Sequence, residues 1–166
     1  MRWMQASASA DIERPIEEVW ELASGIEHMT EWMRGVSEPR MTSEGGMALG
    51  ATFASKFTYR GESFDVDYEV TEYDPPRRRQ ISSLEGPFPF TGTLTLEAIE
   101  GGTRVTNAVR AGSDALITSV MFVMLRPLLR RGMRNQLQLE LGDLRTLVEG
   151  PADADSEPAS ETGEDG

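Results

Sequence analysis

The first twelve residues alternate between apolar and polar side chains, which predicts a β-strand with one buried face. The apolar positions of this strand are Met4, Ala6, Ala8, Ala10 and Ile12. After Arg14 the period becomes helical. Pro15 at the first helical position and Gly25 at the end bound one short helix, and residues 26–33 predict a second. One strand and two short helices therefore open the chain.

Residues 53–109 alternate again, and turn signals interrupt them at short intervals. The predicted turns are Arg60-Gly61-Glu62, Asp74-Pro75-Pro76, Gly86-Pro87 and Glu100-Gly101-Gly102. Glycine permits the positive φ of a tight turn, and two consecutive prolines remove two donors from a strand ladder. Successive strands joined by such short turns form an antiparallel meander.

From Ser113 the apolar period is helical and stays so to Glu149, with Ser113 as the predicted N-cap. The second half of this helix carries an apolar stripe, formed by Leu137, Leu141, Leu144 and Val148. Pro127 predicts a kink or a break, because proline lacks the N–H and clashes with the preceding turn. Together these elements predict an α+β fold with about seven strands and one long C-terminal helix.

The charged residues are distributed unevenly along the chain. Residues 151–166 contain six acidic side chains and neither a basic nor a large apolar one. Such a segment cannot bury enough surface to offset its ordering entropy, so we expect a disordered acidic tail after a single domain over residues 1–150. The whole chain has 16 Lys+Arg against 28 Asp+Glu, a net charge of −12. Two explanations for this acidic, lysine-poor composition stay open: adaptation to concentrated salt and GC-rich coding.

The composition disfavours several classes of function. The chain has no cysteine and one histidine, His28, so we predict no disulfide, no metal and no cofactor. An acidic chain disfavours binding to a nucleic-acid backbone, which needs a basic surface. The most apolar run, residues 115–125, is too short to span a bilayer, and no signal peptide is visible. We therefore expect a cytoplasmic protein without stable membrane insertion.

Five short segments occur in an order that one superfamily shares. They are residues 12–20 (IERPIEEVW), 31–33 (EWM), 68–77 (YEVTEYDPPR), 102–106 (GTRVT) and 126–131 (RPLLRR). With them the chain resembles the START-like, or SRPBCC, superfamily and, within it, the polyketide cyclase/dehydrase-like group, over about residues 3–149. The resemblance implies the helix-grip fold, in which a curved antiparallel sheet wraps the long C-terminal helix and leaves an apolar cavity between them. It also implies that the cavity holds a hydrophobic small molecule or lipid.

The inward faces of the predicted strands are rich in aromatic side chains and face a methionine-rich stretch of the helix. The strand positions are Phe53, Phe57, Tyr59, Phe64, Tyr68 and Phe90, and the helical positions are Met121, Phe122 and Met124. Aromatic rings and flexible thioethers suit apolar ligands of varied shape, although the same side chains can also form ordinary core. We expect them to line the cavity, with Trp32 as a lid or core aromatic.

Polar residues on the same inward face are candidates to orient a ligand. Ser55, Tyr59, Tyr68, Ser83 and Asn107 are the positions concerned. Buried hydroxyl and amide groups need hydrogen-bond partners, which can be neighbours, water or a ligand. Along the inward face of its strand, Asn107 lies between Val105 and Val109, where an apolar residue is the default. We therefore expect Asn107 to orient the ligand unless its side chain bonds to adjacent backbone.

Two further groups of residues each have two interpretations. Arg126, Arg130 and Arg134 are spaced four apart and share a helix face. This face is either an anion-attracting entrance for a carboxylate, phosphate or lipid headgroup, or a solvated basic face paired with carboxylates. His28, the only histidine, lies between the two short helices. Imidazole is the usual acid/base side chain in proteins, so His28 is either an acid/base group at the cavity entrance or a surface or capping residue.

Three hypotheses for the function stay open. The first, which we take as the prediction, is a non-enzymatic binding protein for a hydrophobic small molecule or lipid. A homodimer is one of the oligomeric states compatible with the sequence. The second is an aromatase/cyclase or dehydratase acting on a polyketide-like substrate, with acid/base help from Tyr59, Tyr68 or His28. The third is a protein-interaction module with a vestigial cavity. The resemblance carries no catalytic residue over to this chain.

Overall fold

The computed structural model describes residues 2–113 and 119–150, with side chains described for residues 3–112 and 126–150. The strands are β1 (Arg2–Ile12), β2 (Val36–Met41), β3 (Thr52–Tyr59), β4 (Glu62–Asp74), β5 (Arg78–Glu85), β6 (Phe90–Ile99) and β7 (Gly102–Ser113). The helices are α1 (Ile16–Ser24), α2 (Met29–Trp32), which a 3-10 turn at Ile26–His28 precedes, and α3 (Ser119–Glu149). The predicted α+β helix-grip architecture is confirmed. None of the helices in the described part is long and apolar enough to cross a membrane.

The seven strands form one curved antiparallel sheet in the order β1-β7-β6-β5-β4-β3-β2. The predicted turns lie between consecutive strands. In the turn between β3 and β4, Arg60 and Gly61 have φ values of 52° and 85°. Positive φ at both central residues gives the two-residue hairpin turn whose twist matches that of the flanking strands. Because β1 and β2 lie at the two edges, each has one backbone edge without a strand partner.

The structure bears on three local predictions. β2 was not located from the sequence, because Pro39 and a register shift between Ser37 and Arg40 interrupt its alternation. Ser113 is the last residue of β7 and pairs with Arg2, and its predicted role as the N-cap of the long helix concerns residues 114–118, which lie outside the described residues. α3 is a single element through Pro127, so of the two outcomes predicted there, a kink or a break, the break does not occur.

The second half of α3 packs on one half of the sheet. Leu137, Leu141 and Leu144 are buried in a cluster with the inward faces of β1, β6 and β7. On the edge strand this face consists of Ala6 and Ala8, and their small side chains permit a close approach of helix and strand. The end of α3 is also tied to the turn after β1, since the backbone N–H of Glu13 donates to Glu149 Oε1 at 2.7 Å.

A buried carboxyl group joins α3 to the segment after α2. Glu140 is 7% exposed, and its Oε1 accepts hydrogen bonds from the backbone N–H of Arg34 at 3.2 Å and from Gln136 Nε2 at 3.1 Å. Burial raises the pKa of Glu140 above its usual value, because the charged form loses its hydration. The two hydrogen bonds act in the opposite direction and do not reverse the shift.

We expect Glu140→Gln to raise the melting temperature by a few degrees at pH 8. A carboxyl whose pKa is raised on folding favours the folded state below its unfolded pKa, and this contribution is lost as the pH rises through the folded pKa. The glutamine oxygen can accept the same two hydrogen bonds without carrying a buried charge. The gain over the wild-type protein should therefore shrink as the pH is lowered towards 4, as followed by thermal unfolding.

Glu149→Gln is the matched control for this experiment. The N–H of Glu13 and the guanidinium of Arg145 lower the pKa of Glu149, so its ionised form favours the folded state above the unfolded pKa, and this contribution is lost as the pH falls. Glu149→Gln should therefore lower the melting temperature at pH 8. A lower melting temperature for Glu140→Gln at that pH would contradict the argument from burial.

Candidate functional site

The aromatic side chains predicted to line the cavity form a connected group on β3, β4 and β6. Phe53 lies opposite Tyr68 in the strand register, and their rings stack with centroids 4.6 Å apart. The edge of Phe90 meets Tyr68 at 5.6 Å. Phe57 lies opposite Phe64 in the same register. Antiparallel pairing thus places the predicted aromatic residues side by side, and Phe53 and Tyr68 are buried against each other.

The exposure of this group increases towards one end of the sheet. Phe53 and Tyr68 are 0% and 4% exposed, whereas Phe57, Phe64 and Phe90 are partly exposed. Beyond them, exposed apolar side chains lie near the β3–β4 and β5–β6 turns: Tyr59 at 49%, Leu84 at 55% and Phe88 at 39%. We call this part of the sheet, from residues 57–64 to residues 84–90, the open end. Tyr59 lies on the predicted strand but near its end, so it is half exposed and not enclosed.

A pair of buried hydroxyl groups lies beneath the aromatic rings. Ser55 Oγ and Tyr68 Oη are 3.0 Å apart, and Ser55 is 1% exposed. Burial raises the pKa of Tyr68, and its hydrogen bond with Ser55 acts weakly in the other direction. The phenol therefore keeps its proton at neutral pH and can donate a hydrogen bond or a proton. It is not suited to act as a base.

Asn107 lies on the inward face of β7, between Ala8 of β1 and Leu94 of β6 in the register. It is 8% exposed, and neither of its side-chain polar atoms is among the fully buried atoms that lack a hydrogen-bond partner. A largely buried amide needs hydrogen-bond partners, and a ligand or water on the inward face can supply them. Ser83 differs, because its Oγ accepts the backbone N–H of Phe90 at 2.9 Å and so serves the strand pairing.

The sequence analysis missed Arg79, which lies on the same inward face. Arg79 is 3% exposed, and its Nη1 donates to the backbone oxygen of Ser24 at 2.6 Å. Its Nε has no hydrogen-bond partner among the described residues. Burial lowers the pKa of Arg79 to about 10, so the side chain stays charged at neutral pH. Arg79, Ile81 and Ser83 are alternate residues of one strand and therefore point to the same face. This pattern could have predicted from the sequence that Arg79 faces inward.

His28 and Trp32 occupy different environments although they are four residues apart. His28 lies in the 3-10 turn, partly exposed, with Nδ1 2.7 Å from Glu31 Oε2. It belongs to neither hydrophobic cluster. Trp32 is 1% exposed and packs in the cluster under the second half of α3. Its Nε1 is buried without a partner among the described side chains. Of the two predicted roles, lid or core aromatic, Trp32 thus has that of a core residue.

The predicted helical part of the lining is Met121, Phe122 and Met124, and these side chains lie outside the described residues. Further along α3, Arg126, Arg130 and Arg134 line a groove of about 710 Å³ with Ala6 and Ser7 of β1. No described carboxylate forms an ion pair with these arginines, whereas Arg34, Arg104 and Arg145 pair with Asp143, Asp11 and Glu149. These three arginines are exposed, as the solvated face requires, but they lack the predicted pairing with carboxylates among the described residues.

Comparisons with known proteins agree with this architecture. The model of the family described as polyketide cyclase / dehydrase and lipid transport matches residues 4–149. The protein TTHA0849 from Thermus thermophilus is 22% identical, with a TM-score of 0.69 over 89% of this chain and 99% of that one. The Zhui aromatase/cyclase from Streptomyces sp. R1128 is 13% identical, with a TM-score of 0.68 over 89% and 94%.

A plant protein shares the same fold. The ginseng major latex-like protein 151 from Panax ginseng is 10% identical, with a TM-score of 0.65 over 88% of this chain and 97% of that one. At such identities the similarity establishes the fold and not the chemistry. No functionally curated protein matches the chain significantly.

Proposed function

The chain belongs to the polyketide cyclase / dehydrase and lipid transport family, and on that premise we propose that it binds a hydrophobic small molecule or lipid between the sheet and α3. The family match covers residues 4–149 and confirms the resemblance found in the sequence. We propose that the ligand enters at the open end, contacts Phe57, Phe64 and Phe90, and reaches Phe53 and Tyr68. We propose no metal or cofactor for this function.

The increase in exposure along the aromatic group is the observation that carries this proposal. Soluble proteins normally cover large apolar side chains, and a run of exposed ones at one site indicates a binding surface. Here the exposed residues are continuous with the buried ones, since the ring of Phe88 lies 6.4 Å from that of Phe90, which in turn contacts Tyr68. An apolar ligand can therefore exchange water for aromatic contacts at each step inward.

We expect the neutral fluorescent probe N-phenyl-1-naphthylamine to bind at one site per chain, and Phe88→Asp to weaken this binding about fivefold or more. A carboxylate beside the entry path has to lose part of its hydration when the probe approaches. The measurement is a fluorescence titration, with stoichiometry checked by native mass spectrometry. Thermal unfolding of the variant confirms that it remains folded.

Leu49→Asp is the matched control. Leu49 is also an exposed apolar residue, 68% accessible, but it lies in the segment between β2 and β3, at the opposite end of the sheet from the β3–β4 turn. It should leave the affinity for the probe unchanged. Equal losses in both variants would assign the binding to general surface hydrophobicity, and an absence of saturable binding would favour a protein-interaction module instead.

Asn107 and Arg79 are proposed as the groups that orient the ligand. They lie on the inward face with one strand, β6, between them, so their Cα atoms are about 10 Å apart from the usual strand spacing. The Nε–H of Arg79 is a buried donor without a partner among the described residues, and the amide of Asn107 adds a second donor on the same face. Two such donors select a ligand that carries carbonyl or other acceptor oxygens on an apolar skeleton.

We expect Asn107→Val to weaken the binding of anthraquinone about 3- to 10-fold and to leave the binding of anthracene unchanged. The two probes share one ring skeleton and differ in two carbonyl oxygens, so their ratio of affinities isolates the hydrogen bond from the apolar contact. Fluorescence quenching or displacement of N-phenyl-1-naphthylamine measures both. An unchanged ratio would remove Asn107 from the orienting role.

A second candidate function is that of an aromatase/cyclase or dehydratase, and the buried pair Ser55 and Tyr68 favours it. A protonated phenol that touches the aromatic group can donate a proton to a carbonyl oxygen that becomes an enol during cyclisation. The similarity to an aromatase/cyclase supports this alternative at the level of the fold. Tyr59 is half exposed and His28 is paired with Glu31, so neither is as well placed as Tyr68.

If this second function is present, Tyr68→Phe should lower the rate of aromatic product formation from a synthetic linear poly-β-ketone thioester about tenfold or more. The loss of one hydroxyl should change anthracene binding little, because the ring contacts with Phe53 and Phe90 remain. Product formation is followed by absorbance against the spontaneous reaction. If the wild-type protein forms the product no faster than the spontaneous reaction does, the second function is contradicted and only the binding function remains.

A further inference from the structure

The groove between β1 and α3 brings together several cationic side chains. One wall consists of Ala6 and Ser7 on the edge strand, and the other consists of residues from the middle of α3: Arg126, Pro127, Arg130, Arg131, Arg134 and Asn135. A neighbouring groove of about 670 Å³ shares Ala6, Ser7, Arg126 and Arg130 and adds Arg110, which stacks on Trp3 with 4.4 Å from Cζ to the ring centre. We call the two together the arginine groove.

The charge balance of the arginine groove is opposite to that of the chain. Its lining residues include five arginines and no aspartate or glutamate. The sequence itself places no acidic residue in positions 2–10 or 115–139, although the chain carries a net charge of −12. Other arginines pair with acids at short range, as Arg34 does with Asp143 at 2.9 Å and Arg104 does with Asp11 at 2.8 Å. Within the described residues, no carboxylate forms an ion pair with the arginines that line this groove.

Distant acids cannot neutralise these arginines effectively. At physiological ionic strength charges are screened over about 8 Å, so only partners close to the groove reduce the mutual repulsion of the guanidinium groups. The i, i+4 spacing of Arg126, Arg130 and Arg134 aligns them on one face and keeps them close. A bound anion removes this repulsion and gains charge-assisted hydrogen bonds at the same time.

The groove also offers neutral donors. Ser7 supplies a hydroxyl and Asn135 an amide. β1 is an edge strand, so alternate backbone N–H groups along it are directed away from β7 and have no strand partner. Several guanidinium groups and neutral donors around one space exceed what the two oxygens of a carboxylate can accept. A phosphate group has three or more acceptor oxygens and up to two charges, which matches this donor set better.

We propose that the arginine groove is a phosphate-binding site, which takes the phosphate of a small molecule or of an amphiphile. The site is separate from the aromatic group at the open end and does not depend on the proposed apolar cavity. Arg126 and Arg130, which line both parts of the groove, supply the central contacts. Arg134 and Arg110 lie in one part each and extend the site on either side.

Isothermal titration calorimetry with inorganic phosphate and with monodecyl phosphate tests the proposal, using the full chain in a phosphate-free buffer at 150 mM salt. We expect saturable binding of at least one of them, and a loss of affinity of about tenfold or more in the double variant Arg126→Gln/Arg130→Gln. Binding of both with similar affinity identifies a small phosphate compound as the ligand. Binding of monodecyl phosphate alone, with no binding of decanol, identifies an amphiphile.

Arg77→Gln/Arg145→Gln is the matched control, because it removes the same two charges from arginines that pair with Asp74 and Glu149 outside the groove. It should bind phosphate within about twofold of the wild-type protein. An equal loss in both double variants would overturn the proposal in favour of a general charge effect, and so would an absence of phosphate binding by the wild-type protein. Titration of N-phenyl-1-naphthylamine in the same samples reports on the proposed cavity separately, so failure of one site is distinguishable from failure of the other.

Discussion

The packing of Leu137, Leu141 and Leu144 on the inward face of β1 and its neighbours is the contact on which the arrangement of this protein depends. Alanines on β1 let the helix approach the sheet closely, and the hydrogen bond from Glu13 to Glu149 fixes the end of the helix beside the end of the strand. The leucines are fully or almost fully buried there. Nearer the start of the helix, Arg126 and Arg130 lie opposite the same strand. Helix and strand pack closely at the leucines, whereas a groove separates them at the arginines.

Most of the fold could be predicted from the sequence, because the hydrophobic period and the turn residues agree with each other. The turn at Arg60-Gly61 and the apolar stripe of α3 are each specified by local residues alone. β2 could not be predicted, because Pro39 and the positive φ of Glu38 belong to an irregular edge strand whose pairing with β3 comes from tertiary contacts. The pairing of Ser113 with Arg2 of β1 is likewise a tertiary contact, which a local rule cannot detect.

The candidate site was predictable to a smaller extent. Alternation correctly grouped Phe53 with Phe57 and Tyr68 with Phe64, because period-two alternation is a local property. The alternation does not predict that Phe53 is fully buried while Tyr59 is half exposed, because the exposure of each side chain depends on which residues of other elements pack against it. Arg79 was missed because arginine is a surface residue by default, and its burial follows from the backbone oxygen of Ser24 at the end of α1.

The distribution of charge explains how one small domain can present two different surfaces. Exposed arginines such as Arg34 and Arg104 are bound to single carboxylates and contribute little to stability, as solvent-exposed pairs generally do. The arginines of the groove differ, because they have no such partner among the described residues and their like charges repel one another. The close packing of the α3 leucines against the alanines of β1 stabilises the fold and so offsets this repulsion. The phosphate site that we propose would explain this cluster through binding, and functional residues are where such a local conflict is expected.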